Sequence, residues 1–164
     1  MNMSIDDALL FEQLEMEDLP TSMYEKRVVE LKKYCDDNAK LNQHQCGQYT
    51  QIMNDEAVLK LTTTLDKVVL HFRHDDFKRC LEMDNHMIYL SKKYPKIKFG
   101  YCNVLSCPFI VTRFNIRVLP HLVVFENNIA KKHFIGFEEF GVHNVEVKHV
   151  EFELLDVFNM LPNK

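Results

Sequence analysis

The run Lys67-Val68-Val69-Leu70-His71-Phe72 constrains the fold more than any other segment of the chain. Its β-branched and aromatic, nearly continuous apolar character is what a strand buried on both faces requires, and such strands belong to parallel sheets covered by helices. The flanking segments agree. Residues 49–52 form a short extended piece, and Asp55–Thr64 reads as a short helix with Val58, Leu59 and Leu61 apolar. Residues 75–94 make a long amphipathic helix carrying Phe77, Cys80, Leu81, Met87, Ile88 and Leu90, ended by Pro95. A second strand covers 97–103, and a short helix covers 108–114 with Pro108 in its first turn. Strands at 122–125 and 132–135 are joined by Glu126-Asn127-Asn128, where Asn tolerates positive φ, and 147–160 closes the chain as a helix. The order from residue 49 is therefore β-α-β-α-β-α-β-β-α. It predicts an α/β fold: a mixed sheet of crossover-linked parallel strands plus an antiparallel hairpin, flanked by helices.

The first 45 residues contain no Gly and read as helical. Ser4 is a fitting N-cap with Asp6 and Asp7 in the first turn, and Ile5, Leu9, Leu10 and Leu14 share one face. Leu19-Pro20 interrupts the pattern, because the residue before proline avoids the α region. Thr21 then caps a second helix whose seam is Tyr24, Val28, Leu31 and Cys35, with Gly47 as its natural stop. So narrow a seam predicts a helix that lies on the body of the protein, pairs with a second copy in a homodimer, or waits for a partner. The organisation expected is a helical arm over 1–46 and an α/β domain over 47–164.

Charge is unevenly placed. Asp6, Asp7, Glu12, Glu15, Glu17, Asp18 and Glu25 give residues 1–25 a net charge of −7 with no Lys or Arg. The whole chain carries −4, so the remaining 139 residues sum to +3. An acidic head suits docking to a basic partner surface, with a solvated helix face as the plainer alternative. A pI near 6.1 gives no reason to expect nucleic acid as a partner. No apolar run reaches the ~20 residues of a membrane span, and no export signal is legible, so the expected compartment is the cytoplasm. There the five cysteines (Cys35, Cys46, Cys80, Cys102 and Cys107) stay thiols. None forms a CxxC pair. Without a Gly-rich phosphate loop, a Ser-His-Asp pattern or a zinc-protease motif, no cofactor and no metal is expected. His71 and His74, three apart on a strand, point to opposite faces and do not read as a metal pair.

Two segments resemble the thioredoxin fold over about 115 residues. Val68–Phe72 followed by a helix resembles the strand that delivers the thioredoxin active-site helix. Val118-Leu119-Pro120-His121-Leu122-Val123-Val124-Phe125 resembles the segment holding the cis-proline, which falls on Pro120. Superposing the segments puts Phe77-Lys78-Arg79-Cys80 where thioredoxins have Cys-Gly-Pro-Cys, and His71 where they have a buried acid. Phe cannot attack a disulfide, and a single thiol cannot release a mixed disulfide intramolecularly. The resemblance therefore implies a fold retained for binding.

A finer resemblance, to the phosducin-like proteins, rests on His44-Gln45-Cys46-Gly47-Gln48-Tyr49-Thr50-Gln51-Ile52 after a charged helix. It rests also on Met83-Asp84-Asn85-His86-Met87-Ile88-Tyr89-Leu90-Ser91-Lys92-Lys93, on Cys107-Pro108-Phe109-Ile110-Val111-Thr112-Arg113-Phe114-Asn115-Ile116 and on Ile135-Gly136-Phe137-Glu138-Glu139-Phe140-Gly141. The pattern is most similar to the third phosducin-like group, the thioredoxin domain-containing protein nine type. That resemblance implies a cytosolic, non-enzymatic co-chaperone that binds the cytosolic chaperonin and modulates folding of actin and tubulin. It departs from the family in its short N-terminal stretch and in His121, where Thr usually follows the cis-proline.

The candidate site residues follow. Asp6, Asp7, Glu12, Glu15, Glu17 and Asp18 would steer a partner, and Tyr24, Val28 and Leu31 would seat it. Cys80 is the redox candidate, either a monothiol acting in a redox protein or sensor, or a buried inert side chain. Cys102 and Cys107 are either a regulatory disulfide or two ordinary thiols. Pro120 is the structural cis-proline, and Phe77, Leu119 and His121 would bound a groove for extended peptide.

Overall fold

The computed structural model describes residues 21–141 and 143–161. The expectations for Ser4, for the apolar face from Ile5 to Leu14, for the Leu19-Pro20 break and for Asp6, Asp7, Glu12, Glu15, Glu17 and Asp18 lie outside them. The chain divides into two compact units, Met1–Lys40 and Leu41–Lys164.

Within the first unit helix α1 begins, spanning Thr21–Gln43. Of its predicted seam Leu31 is buried, Val28 and Cys35 are half-buried, and Tyr24 is exposed. Val29 and Tyr34 add further exposed apolar surface.

The second unit is a five-stranded mixed sheet in the order β1-β3-β2-β4-β5. The strands are β1 (Thr50–Gln51), β2 (Lys67–Arg73), β3 (Lys98–Asn103), β4 (His121–Glu126) and β5 (Ile129–Ile135). The first three pair in parallel, and β4 runs antiparallel to both β2 and β5. The helices are α2 (Asp55–Thr64), α3 (Lys78–Lys93), α4 (Pro108–Arg113) and α5 (Val147–Val157), with a 3-10 turn at Glu138–Phe140. Alternation along the strands sorts the core into two layers. Val69, Phe99, Leu122 and Val124 face α3 and α5, meeting Met83, Met87, Leu90, Val150 and Leu154. Val68, Leu70, Phe72, Cys102, Val123 and Phe125 face α2 and α4, meeting Val58, Leu61 and Ile110. That double coverage is why β2 reads as one apolar run.

Several expected boundaries move. α3 starts at Lys78 rather than 75, because Asp75 and Asp76 form a turn and Phe77 is its extended N-cap (φ −98°, ψ 110°). Its core face is Cys80, Met83, Asp84, Met87, Leu90 and Ser91, whereas Phe77, Leu81 and Ile88, expected inside, are exposed. β5 begins at Ile129, not 132, because Asn127 (φ 51°) and Asn128 (φ 64°) alone make the left-handed turn. α5 ends at Val157 rather than 160, where Asn159 turns left-handed.

Two close approaches fix the β1 edge. A Cβ on Gly100 would meet Ile52 Cγ1 at 3.1 Å and the Thr50 carbonyl oxygen at 3.2 Å, so any side chain there would have to push the β1 edge back by a few tenths of an ångström. The wholly buried Lys98 ammonium donates to the Gln45 carbonyl (3.0 Å), the Gln48 carbonyl (3.2 Å) and Thr50 Oγ1 (2.8 Å). Burial pushes its pKa down, and three acceptors are what a buried ammonium needs.

Candidate functional site

The strand β2 ends at Arg73, and the turn beyond it delivers Phe77 and Cys80 at the start of α3. Phe77 is half exposed and stacks edge-on against His74 with centroids 5.7 Å apart. Cys80, one turn on, is fully buried. Its backbone N–H donates to the Phe77 carbonyl at 3.0 Å. Desolvation pushes the Cys80 thiol up, so the sulfur rests protonated and sheltered. No thiol at this corner is presented to solvent. The Arg79 guanidinium covers the Phe137 ring at 4.8 Å, which ties the first turn of α3 to the segment after β5.

Beneath Cys80 lies a polar network that reading the sequence missed. His71 faces α3 and is fully buried. Tyr49 Oη donates to Asp84 Oδ1 at 2.6 Å and lies 2.8 Å from His71 Nδ1, which is itself 3.0 Å from Asp84 Oδ1. Arg73 closes the far side, donating to Asp84 Oδ2 at 2.6 Å and to Asp75 at 2.8 Å. Burial lowers the pKa of His71 despite Asp84, so the ring is neutral. Since Tyr49 gives its proton to Asp84, His71 Nδ1–H is the donor and Nε2 stays bare. Burial, reinforced by Asp84, likewise keeps Tyr49 protonated. Where the thioredoxin resemblance implies a lone buried acid, this chain has a neutral imidazole, with the acid supplied from α3 and neutralised by Arg73. Asp84 reads in sequence as a surface residue of a charged helix. The one available signal was its step of four from Cys80 along the helix.

The Leu119–Pro120 peptide is cis, and Pro120 is buried. His121, expected to wall a groove with Phe77 and Leu119, is turned away from solvent at 3% exposure. It sits on the α2/α4 face of the sheet, opposite the one His71 uses, with its Nε2 3.1 Å from His133 Nδ1. Phe114 packs against His133 at 5.2 Å. Burial, with His133 adding to it, pushes the His121 pKa down to about 4. The groove reading therefore loses its His121 wall.

Cys102 and Cys107 come together in the α2/α4 layer, both fully buried, one near the end of β3 and the other the N-cap of α4. The start of α4 is held from α2: Asp55 accepts from the Phe109 and Ile110 amides at 3.1 and 2.9 Å. His71 and His74 do not converge. Among the described residues no three His, Cys, Asp or Glu side chains gather in a metal-binding arrangement. No helix among them is long and apolar enough to cross a membrane.

Sheet order, crossover helices and the cis-proline segment together define a thioredoxin-fold protein. A mutant thioredoxin from Halobacterium salinarum superposes with a TM-score of 0.61 at 13% identity, covering 71% of this chain and 96% of that one. Mitochondrial thioredoxin 3 from Saccharomyces cerevisiae gives 0.56 at 20% identity, covering 71% and 98%. Within that class the chain belongs to the phosducin family, whose pattern it matches over residues 3–164. It is 34% identical over 134 residues to phosducin-like protein 3 of Dictyostelium discoideum, covering 80% of this chain and 71% of that protein. It is 30% identical over 125 residues to human thioredoxin domain-containing protein 9, covering 76% of this chain and 55% of that one. Against several such relatives the chain spans about half their length.

Proposed function

We propose that this protein is a cytoplasmic, non-enzymatic co-chaperone that docks to the cytosolic chaperonin and modulates folding of actin- and tubulin-type clients. One observation carries the reading: Phe77 stands where the attacking thiol would be, and the remaining sulfur, Cys80, is fully buried and held protonated. A thioredoxin fold so altered keeps its surfaces and loses its chemistry. Membership of the phosducin family supports the adaptor reading. The exposed apolar side chains of α1 (Tyr24, Val29 and Tyr34) support a partner for the arm. Long-range attraction by Asp6, Asp7, Glu12, Glu15, Glu17 and Asp18 would speed the encounter, and the exposed apolar side chains of α1, rather than the buried Leu31, would lengthen the complex's lifetime.

The test is binding to purified chaperonin at physiological salt. Saturable binding by the full chain is expected. Replacing the six acidic residues with Asn or Gln is expected to weaken it roughly tenfold, chiefly through the association rate. No detectable binding by the full chain overturns the proposal. A homodimer formed through the N-terminal helices is the competing use of the seam, and sedimentation velocity of the full chain distinguishes it.

The second reading, a monothiol redox protein acting through Cys80, has the fold neighbours in its favour, because thioredoxins are redox proteins. The shielding of Cys80 opposes it.

A further inference from the structure

The parallel strands β1, β2 and β3 finish at the same end of the sheet, and each leads into a large, exposed apolar side chain. Met53 follows β1, Phe77 follows β2, Leu105 lies in the turn after β3, and Phe109 lies in the first turn of α4. The four are between 51 and 73% exposed. Hydrogen bonds tie the segments that carry them into one surface. The Val104 amide donates to the Arg73 carbonyl at 3.0 Å, Asn103 Nδ2 donates to Asp75 at 3.4 Å, and Asp55 accepts from the Phe109 amide at 3.1 Å. Single exposed apolar residues are ordinary on a protein surface, whereas four large ones at one end of a sheet mark an interaction site. The rim is acidic. Asp75 and Asp76 lie in the turn before Phe77, and Asp55 and Glu56 open α2 just after Met53. Against these four carboxylates stand Arg73, already held by Asp84 and Asp75, and Lys78. The chain outside residues 1–25 sums to +3, so the negative charge here is local.

We propose that this end of the sheet is a docking surface for a basic amphipathic helix of a partner protein. The apolar face of that helix lies on Met53, Phe77, Leu105 and Phe109, and its Lys or Arg side chains reach the acidic rim. Charge selects the sign of the partner. The backbone selects its form. An extended peptide binds by adding to an open strand edge, and these segments offer none. The amides of Phe77, Leu105 and Phe109 are already taken, by the His74 carbonyl (3.2 Å), Asn103 Oδ1 (3.0 Å) and Asp55 Oδ2 (3.1 Å). A helix satisfies its own amides and asks only for apolar contact along one face, with charge beside it. The surface runs from Phe77 toward β1, on the far side of β2 from the cis-proline and β4. It is therefore separate from the groove expected between Phe77, Leu119 and His121, and it does not depend on the chaperonin reading.

The probe is a fluorescein-labelled peptide of Leu and Lys in helical period, with the Leu–Glu peptide of the same pattern as its charge-reversed control. Each is titrated at physiological salt with the full chain whose six N-terminal acidic residues are replaced by Asn or Gln, so that the acidic arm does not compete for the probe. Saturable binding of the Leu–Lys peptide is expected, at least about tenfold tighter than that of the Leu–Glu peptide. Leu105→Ser with Phe109→Ser is expected to weaken it about tenfold, while circular dichroism and the denaturation midpoint stay as they were because both side chains are exposed. Should that pair disturb the fold, Met53→Ser, in a separate segment, is expected to weaken binding about threefold. Asp75→Asn with Asp76→Asn is expected to weaken it about threefold and to flatten its salt dependence. Ile129→Ser, at an exposed position at the opposite end of the sheet, is expected to leave the affinity unchanged. No saturable binding, equal affinity for the two peptides, or binding that the substitutions at 53, 105 and 109 leave intact overturns the proposal.

Discussion

Two helices leave the ends of adjacent parallel strands, α3 from β2 and α4 from β3, on opposite faces of one sheet. Their first turns are built differently. The start of α3 has no side-chain cap and one buried sulfur, and it rests on the charged and polar network of Tyr49, His71, Arg73 and Asp84. The start of α4 is capped from α2 by Asp55 and has two buried cysteines, Cys102 and Cys107, in the layer it forms with the sheet and α2. The difference teaches that the fold does not dictate where sulfur chemistry sits. It supplies several strand-to-helix corners, and the side chains at each decide whether a thiol is reactive or merely packed.

The comparison can be broken at its most charged point. Asp84→Ala would leave Arg73 only the exposed Asp75 as partner and take from Tyr49 and His71 their shared carboxylate acceptor. Removing one partner of a buried ion pair costs about 3–5 kcal/mol, so urea denaturation should register a loss of that size. A loss under about 1 kcal/mol would show that the network does not hold the α3 corner.

The α4 side carries a pH-dependent element of comparable size. His121 is protonated in the unfolded chain below its ordinary value of 6.5 but in the folded protein only below about 4. Its contribution is therefore fully present above 6.5 and is lost as pH falls toward 4, by up to about 3 kcal/mol. His71, His86 and His133 are lowered too and act with the same sign. Denaturation at pH 7.5 and 4.5 should show the wild type losing stability on acidification, with His121→Gln flattening part of that loss. An unchanged pH dependence would contradict the burial of His121 as a neutral ring.

Smaller effects sharpen the contrast. Asp55→Ala removes the cap of α4 and should cost about 1–2 kcal/mol, while leaving the α3 network intact. Phe77→Ala, at a half-exposed position with no cap to lose, should change stability by less than about 1 kcal/mol. If Phe77→Ala cost more than Asp55→Ala, the ranking of the two corners would be reversed.

Much of the architecture was legible because apolar runs of strand length alternate with helical stretches, and the parallel core of β2 and β3 leaves no other burial pattern. The phase of α3 was harder. Phe77, Leu81 and Ile88 fall on a stripe as regular as that of Cys80, Met83, Met87 and Leu90, and only the sheet decides which one is covered. The candidate site was legible in part. The ring at 77 and the single thiol at 80 can be read along the chain, as can the proline at 120. The network beneath them cannot, because Tyr49, His71, Arg73 and Asp84 come from three separate segments, and a buried charge resembles a surface charge until its partners are in place. Lys98 is the same case: a lysine inside a strand signals solvent, and here it meets two carbonyls of the turn before β1 and the hydroxyl of Thr50 at the start of β1.

The most direct measurement is turnover in a disulfide-reduction assay, with insulin as substrate and dithiothreitol as electron source, comparing the intact protein with its Cys80→Ser variant. The account predicts that neither raises the rate above the uncatalysed background and that the two are indistinguishable. Turnover by the intact protein that disappears in Cys80→Ser would contradict it.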